Sequence, residues 1–258
     1  MTDNDQKITK ELFPNFSSFD RAIKYPYFAP DYCFSFYKGK FVEGISVDLS
    51  NRIPVLSVGS NRSPYQLKKK FSLNQDICVT PAVLIDSDIV YAASISAYGS
   101  MPATQWPSKG TTVTLNVLWL TEEQLNIMHL TEAIGVAYNF VKLKSGTVKI
   151  KNFNYEKQIY GYVAISGVFP FDMCKPRRLS AINAQNVKLE TFSEYEALIY
   201  LKNKLEYKDK NLSQWVEMLV KDKSYRLNLH KTMKSNSLKL KNPNWEIVNT
   251  TSKGELVL

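Results

Sequence analysis

Histidine is nearly missing. The 258-residue chain has two, His129 and His230, so a histidine metal site or a Ser-His-Asp triad has few candidates. Cysteine is also scarce. Cys33, Cys78 and Cys174 are odd in number and widely spaced, which gives neither a disulfide framework nor a metal-ligand spacing; buried free thiols in a reducing cytoplasm are the plain reading. No apolar run is long enough to span a bilayer. The opening MTDNDQKITKELF is polar and lacks the apolar stretch of a secretory signal. Acids fall short as well, with 24 Asp and Glu against 33 Lys and Arg, a net charge of +9. That excess resembles a nucleic-acid signal, but residues 201–241 hold eleven Lys or Arg against four acids and so carry +7 of it. A basic helical segment is more often a solvated surface than a groove reader, although its field can attract an acidic partner. Nucleic acid is therefore disfavoured as a partner, and so is a membrane.

What is plentiful is aromatic. Fifteen Tyr and thirteen Phe point to a sheet-rich core. Residues 1–50 read as an aromatic leader packed on that core, because rings such as those of FPNFSSF and YPYFAPDYCFSFYKG would otherwise sit in water. Phe36, Tyr37 and the Lys38-Gly39-Lys40 turn suit an edge hairpin. Residues 51–170 carry the strongest alternation. Cys78–Leu84 and Ile89–Ile95 read as strands around an Asp86-Ser87-Asp88 turn. Pro107-Ser108-Lys109-Gly110 reads as another turn. The strand TVTLNVLWL then places Val113, Leu115, Val117 and Trp119 on one face. Thr121 with Gln124 makes a capping box before the helix EEQLNIMHL. Strands follow near Tyr138–Leu143, Val148–Lys151 and Tyr160–Ile165. Residues 171–258 read as a basic helical extension, with capping boxes at Ser193/Glu196 and Asn211/Gln214.

Two stretches carry chemistry. The first is Ile53–Phe71, IPVLSVGSNRSPYQLKKKF. A buried strand runs into Gly59-Ser60-Asn61, and Ser63 and Pro64 then open a helix. Glycine permits a tight turn and close approach of a ligand. Unpaired amides at such a junction suit an anion or a developing oxyanion. An ordinary strand–turn–helix explains the same letters. Lys68, Lys69 and Lys70 read as the solvated face of that helix. The second stretch ends the helix that starts at Thr121. Glu132 falls there at the negative end of the macrodipole. Desolvation in that place raises a carboxyl pKa and suits proton transfer near neutral pH; a frayed, exposed acid is the plainer alternative. Arg177 and Arg178 are either a carboxylate clamp or surface charges in a proline-bounded loop. Tyr98 and Tyr138 are either cavity-lining or core aromatics.

The order of these pieces resembles the gamma-glutamylcyclotransferase-like family over roughly residues 51–165. The family's Tyr-Gly-Ser-Asn loop stands here as Val58-Gly59-Ser60-Asn61. Its crossing before a turn and strand looks like Met101-Pro102-Ala103-Thr104 followed by Val113–Leu120. The block NVLWLTEEQLNIMHLTEA puts Glu132 at the family's catalytic glutamate, and Tyr138 matches a tyrosine that follows a few residues later in the family. The resemblance implies an α/β (α+β) fold, a small mixed β-barrel with the leader and the helical extension added to it. It implies an enzyme. A substrate's α-amine would attack its own γ-amide carbonyl, closing 5-oxoproline and releasing an amine, with Glu132 as general acid/base. Gly59, Ser60, Asn61, Thr104 and Tyr138 would bind a small amide of an amino acid. No metal or organic cofactor is implied. Val58 in place of the tyrosine, and Glu132-Ala133 where Glu-Gly is usual, put the substrate in question. The alternative is an idle module of the same fold that uses the basic tail to engage an acidic partner or nucleic acid.

Overall fold

The computed structural model describes residues 10–152, 154–207, 209–240 and 243–248. The leader contributes helix α1 (Ser18–Ile23) and the hairpin β1 (Phe34–Tyr37) and β2 (Lys40–Glu43). Strand β3 (Ile53–Ser57), a 3-10 turn over Ser60–Arg62 and helix α2 (Pro64–Phe71) follow. Next come two long strands, β4 (Ile77–Tyr91) and β5 (Ala103–Leu120), and helix α3 (Glu122–Thr131). After them come β6 (Tyr138–Leu143), β7 (Val148–Ile150), β8 (Tyr160–Ala164) and the two-residue strands β9 (Arg178–Leu179), β10 (Ala184–Gln185) and β11 (Thr191–Phe192). Helices α4 (Glu194–Lys204), α5 (Leu212–Lys221) and α6 (Lys223–Ser235) and strand β12 (Trp245–Ile247) complete the order.

The class is mixed α+β, and its strands form one sheet ordered β11-β9-β4-β5-β3-β8-β6-β12. The path has two ends that do not pair among the described residues. The sheet is mixed and not closed, so the expected small mixed β-barrel holds only in a loose sense. The β3–β8 contact and the short β9–β11 contact are parallel, and the other ladders are antiparallel. The two expected turns at 86–88 and 107–110 are not turns. β4 and β5 run through them as a continuous antiparallel pair, and the ladder absorbs the irregularity as a bulge between Ile85 and Ser87. There Asp86 and Gly110 both take positive φ, and the Gly110 amide donates to Asp86 Oδ1 at 2.7 Å. Turn-forming residues signal a local kink, which a long strand accommodates as readily as a chain reversal.

Both faces of the central strands are buried. Val113, Leu115, Val117 and Trp119 join a cluster with Ala22 and Tyr25 of the leader and with Ala197, Leu198, Trp215 and Leu219 of the C-terminal helices. Leu118 and Leu120 point the other way, into a cluster with Phe34, Phe36, Leu67, Phe71 and Met128. Several basic residues of the tail are committed internally. The Lys202 ammonium donates to the carbonyls of Tyr207 and Lys210, and the Arg226 guanidinium to those of Leu219 and Val220. Of the three thiols expected to be buried, Cys78 is, whereas Cys33 is half-buried and Cys174 exposed. No helix among the described residues is long and apolar enough to cross a membrane.

Candidate active site

Glu132 is placed by a helix anchored at its far end. The Thr121 hydroxyl accepts from the Gln124 amide, and Gln124 Oε1 accepts from the Thr121 amide. The same Gln124 side chain also meets the Arg52 guanidinium and donates to the Asp76 carbonyl. The α3 axis is thus tied to the sheet, and its last turn delivers Glu132 as the C-terminal cap, with its amide donating to Met128 O at 2.9 Å. The next residue, Ala133, sits at φ 46°, the left-handed conformation in which glycine commonly ends a helix. Glu132 Oε1 accepts from Asn61 Nδ2 at 3.0 Å and from the Lys70 ammonium. Both side chains of that ion pair are largely buried, Lys70 at 9% exposed and Glu132 at 13%. Lys70 is therefore not part of a solvated face, unlike its exposed neighbours Lys68 and Lys69. Its charge neutralises a carboxylate that the helix dipole alone would disfavour. Among the described residues, Glu132 Oε2 has no hydrogen-bond partner.

The Gly59–Asn61 loop faces this carboxylate. Its 3-10 turn is closed by the Arg62 amide on Gly59 O and the Ser63 amide on Ser60 O. The amides of Ser60 and Asn61 donate to no acceptor among the described residues. Ser63 occupies the cap position of α2, but its hydroxyl makes no capping bond. Its own carbonyl takes the Gln66 and Leu67 amides instead. Gly59 has φ −130°, so no left-handed backbone requires glycine there. Space requires it: a Cβ would lie 2.2 Å from the Tyr25 hydroxyl.

Loop and glutamate line one cavity of about 520 Å³. Its wall includes Gly59, Ser60, Asn61, Glu132 and Tyr138, together with Arg21, Tyr25, Val58, Gln66 and Tyr98. Burial raises the phenol pKa of Tyr25, Tyr98 and Tyr138 above the ordinary tyrosine value, so these hydroxyls stay protonated donors near neutral pH. The Glu132 charge pushes Tyr138 and Tyr98 the same way, whereas hydrogen bonds with Ser60 and Ser100 pull Tyr98 back. Asn61 Oδ1 and Gln66 Oε1 are buried without partners among the described residues. The Arg21 guanidinium lies 4.6 Å from the centre of the Tyr98 ring, and no carboxylate pairs with it among the described residues.

The chain is similar in structure to a gamma-glutamyl cyclotransferase at 14% identity and a TM-score of 0.37, over 80% of this chain and 94% of that one. It is also similar to an Arabidopsis thaliana protein solved in solution, at 17% identity and a TM-score of 0.37, over 64% of this chain and 94% of the other. An uncharacterized Homo sapiens protein resembles it at 14% identity and a TM-score of 0.34, over 80% of this chain and 95% of that one. No protein-family model matches the chain, and no curated protein matches its sequence. At these values the likenesses concern the chain path and assign no residue a role.

One expected site residue stands apart. Thr104 is buried behind the wall, and its hydroxyl accepts from the Ala164 amide at 3.1 Å, which ties β5 to β8. It does not line the cavity. Arg177 and Arg178 lie elsewhere and are buried rather than surface charges. Arg178 pairs with the fully buried Asp88 at 3.2 Å, and Arg177 pairs with Glu190 beneath the Phe192 ring. Ser94 also lines the cavity and meets His230 Nδ1 at 3.0 Å. No carboxylate completes a triad with His230 among the described residues. Sequence reading missed Arg21, Tyr25, Gln66 and Lys70. For the first two, the only signal was a leader too aromatic to be left in water.

Proposed function

We propose that this protein is an enzyme that closes a γ-glutamyl amide, or a closely related one, onto itself, releasing 5-oxoproline and an amine. One observation carries the reading: the Glu132 carboxylate and the unpaired amides of the Gly59–Asn61 loop share a cavity large enough for a small molecule. The motif resemblance over residues 51–165 supports the same assignment.

The chemistry asks little of the protein. The attacking amine is tethered to the carbonyl it attacks, so folding the substrate into a ring-like shape supplies much of the rate. Proton traffic and charge stabilisation remain. Glu132 Oε1 is held by Asn61 and Lys70, which leaves Oε2 to receive a proton from the α-ammonium and return one to the departing nitrogen. The loop amides hold the substrate carboxylate or the carbonyl oxygen as it gains charge. The buried acceptors Asn61 Oδ1 and Gln66 Oε1 suit the N–H groups of an ammonium. Neither a metal nor an organic cofactor is needed for these steps.

The test is incubation with a panel of L-γ-glutamyl amides and assay of 5-oxoproline. Wild-type protein should form it, and Glu132→Gln should lose at least 100-fold in kcat. Undiminished turnover in that variant would remove Glu132 from the mechanism, and no product from any member of the panel would remove the reaction.

A further inference from the structure

We propose that Tyr25, carried into the cavity by the leader, is the hydroxyl donor offered to the ligand's carbonyl oxygen. The inference rests on the cavity being the site of the reaction above, and it adds a residue that lies outside the motif-bearing segment.

Three observations converge on it. Tyr25 lines the same cavity as Glu132 and the Gly59–Asn61 loop. Its oxygen accepts from the Ala103 amide at 2.8 Å, while its proton has no acceptor among the described residues. The hydroxyl is thus held by a lone pair, with the O–H free to serve something not yet present. A hydroxyl that accepts one hydrogen bond becomes a better donor in another. The third observation is the side chain missing opposite it. A Cβ on Gly59 would stand 2.2 Å from the Tyr25 oxygen. The loop has given up a side chain at the one place where the phenol reaches it, so the O–H and the unpaired amides of Ser60 and Asn61 serve neighbouring space.

The ring is fixed. It is buried at 5% exposure and packs against Tyr27 and Tyr98 with centroids 6.1 and 6.3 Å away. Of the neighbouring hydroxyls, that of Tyr27 is otherwise occupied, donating to Arg21 O. Burial also keeps the Tyr25 phenol from ionising, so it acts as a donor and not as a base. In the reaction, the substrate amine forms a bond to the amide carbon and the C=O π pair moves onto oxygen. Tyr25 stabilises that oxyanion by a hydrogen bond without giving up its proton. The pair then returns, the C–N bond breaks and the leaving nitrogen takes its proton from Glu132, whose freed carboxylate removes the surplus proton of the attacking nitrogen and passes it to the departing amine, which leaves as its ammonium.

The test compares wild type with Tyr25→Phe, which keeps the ring, and with Tyr27→Phe as a control from the same aromatic group. With L-γ-glutamyl amides as substrates, Tyr25→Phe should lower kcat about 100-fold with KM within about threefold, and Tyr27→Phe should change neither. Wild-type kcat in Tyr25→Phe, or an equal loss in both variants, overturns the proposal while leaving the reaction standing. If wild type turns over none of the amides, the reaction fails and calorimetric titration with 5-oxoproline decides for Tyr25. A loss of affinity of at least fivefold in Tyr25→Phe supports it, whereas equal affinity in both, or no binding to wild type, overturns it.

Discussion

Gly59 and Tyr25 come from segments more than thirty residues apart, and their contact makes a quantitative claim. Gly59→Ala introduces a Cβ 2.2 Å from the phenolic oxygen, which sits at the end of a rigid, buried ring and not on a flexible chain. The ring must move, and overpacking of this kind costs about 1–3 kcal/mol, less the ~0.4–1 kcal/mol that alanine returns through the unfolded chain. Tyr25→Phe costs about 1–2 kcal/mol for a different reason, because the Ala103 amide loses its acceptor. In the double variant the colliding oxygen is gone. The nearest remaining atoms are Tyr25 Cζ at 3.3 Å and Ala103 Cβ at 3.4 Å, distances that small shifts accommodate. The double variant should therefore be less destabilised than the sum of the singles by about 1–2 kcal/mol. Urea unfolding of the four proteins gives that coupling directly. Additivity within ~0.3 kcal/mol, or a neutral Gly59→Ala, would show that the glycine is not there to admit the tyrosine.

Other consequences follow from buried charge. Lys70→Met leaves the Glu132 carboxylate with only Asn61 on Oε1, and should cost about 2–3 kcal/mol in urea unfolding; a loss below ~0.5 kcal/mol would place the pair among weak surface bridges. Asp88→Asn should cost ~3 kcal/mol, because it strands the buried Arg178 guanidinium, and a neutral effect in thermal unfolding would contradict that. Burial raises the Glu194 carboxyl above its ordinary 4.5, against the pull of the Met101 amide. The unfolded chain ionises there first, so stability is fully present below about pH 4.5 and declines as pH rises towards the folded value. Glu194→Gln should flatten that decline in urea midpoints measured from pH 5 to 8, and a parallel pH profile would refute it.

The sequence was legible where structure is local. The three capping boxes at Thr121/Gln124, Ser193/Glu196 and Asn211/Gln214 all form, because each is completed within four residues. The alternation of Val113, Leu115, Val117 and Trp119 maps onto one buried face for the same reason. Glu132 and the glycine loop were readable as an ordered pair of motifs. Lys70 was not. Its exposed neighbours Lys68 and Lys69 share its helix, and only the packing of α3 beside α2 decides which of three lysines meets a carboxylate. Arg178 failed similarly: a proline-bounded basic loop looks solvated until Asp88, ninety residues earlier, is folded against it. The turns misread at 86–88 and 107–110 show the reverse error, in which correct local chemistry is absorbed by a long-range ladder.

The Lys70 contact also bears on how the glutamate can act. A free carboxylate at a helix C-terminus is repelled by the local dipole and gains from protonation. Lys70 and Asn61 both lie on Oε1, so the stabilisation is concentrated on one oxygen. Protonation at Oε2 then leaves the ion-pair geometry intact, with Oε1 still accepting from both partners. A proton can arrive and depart on the cavity side without the side chain rotating. The lysine is thereby a positioning group for Glu132. If Glu132 carries the proposed proton transfer, Lys70→Gln should lower kcat per folded molecule with KM little changed, whereas a purely structural pairing would lower the amount of folded protein and leave kcat of the remainder where it was.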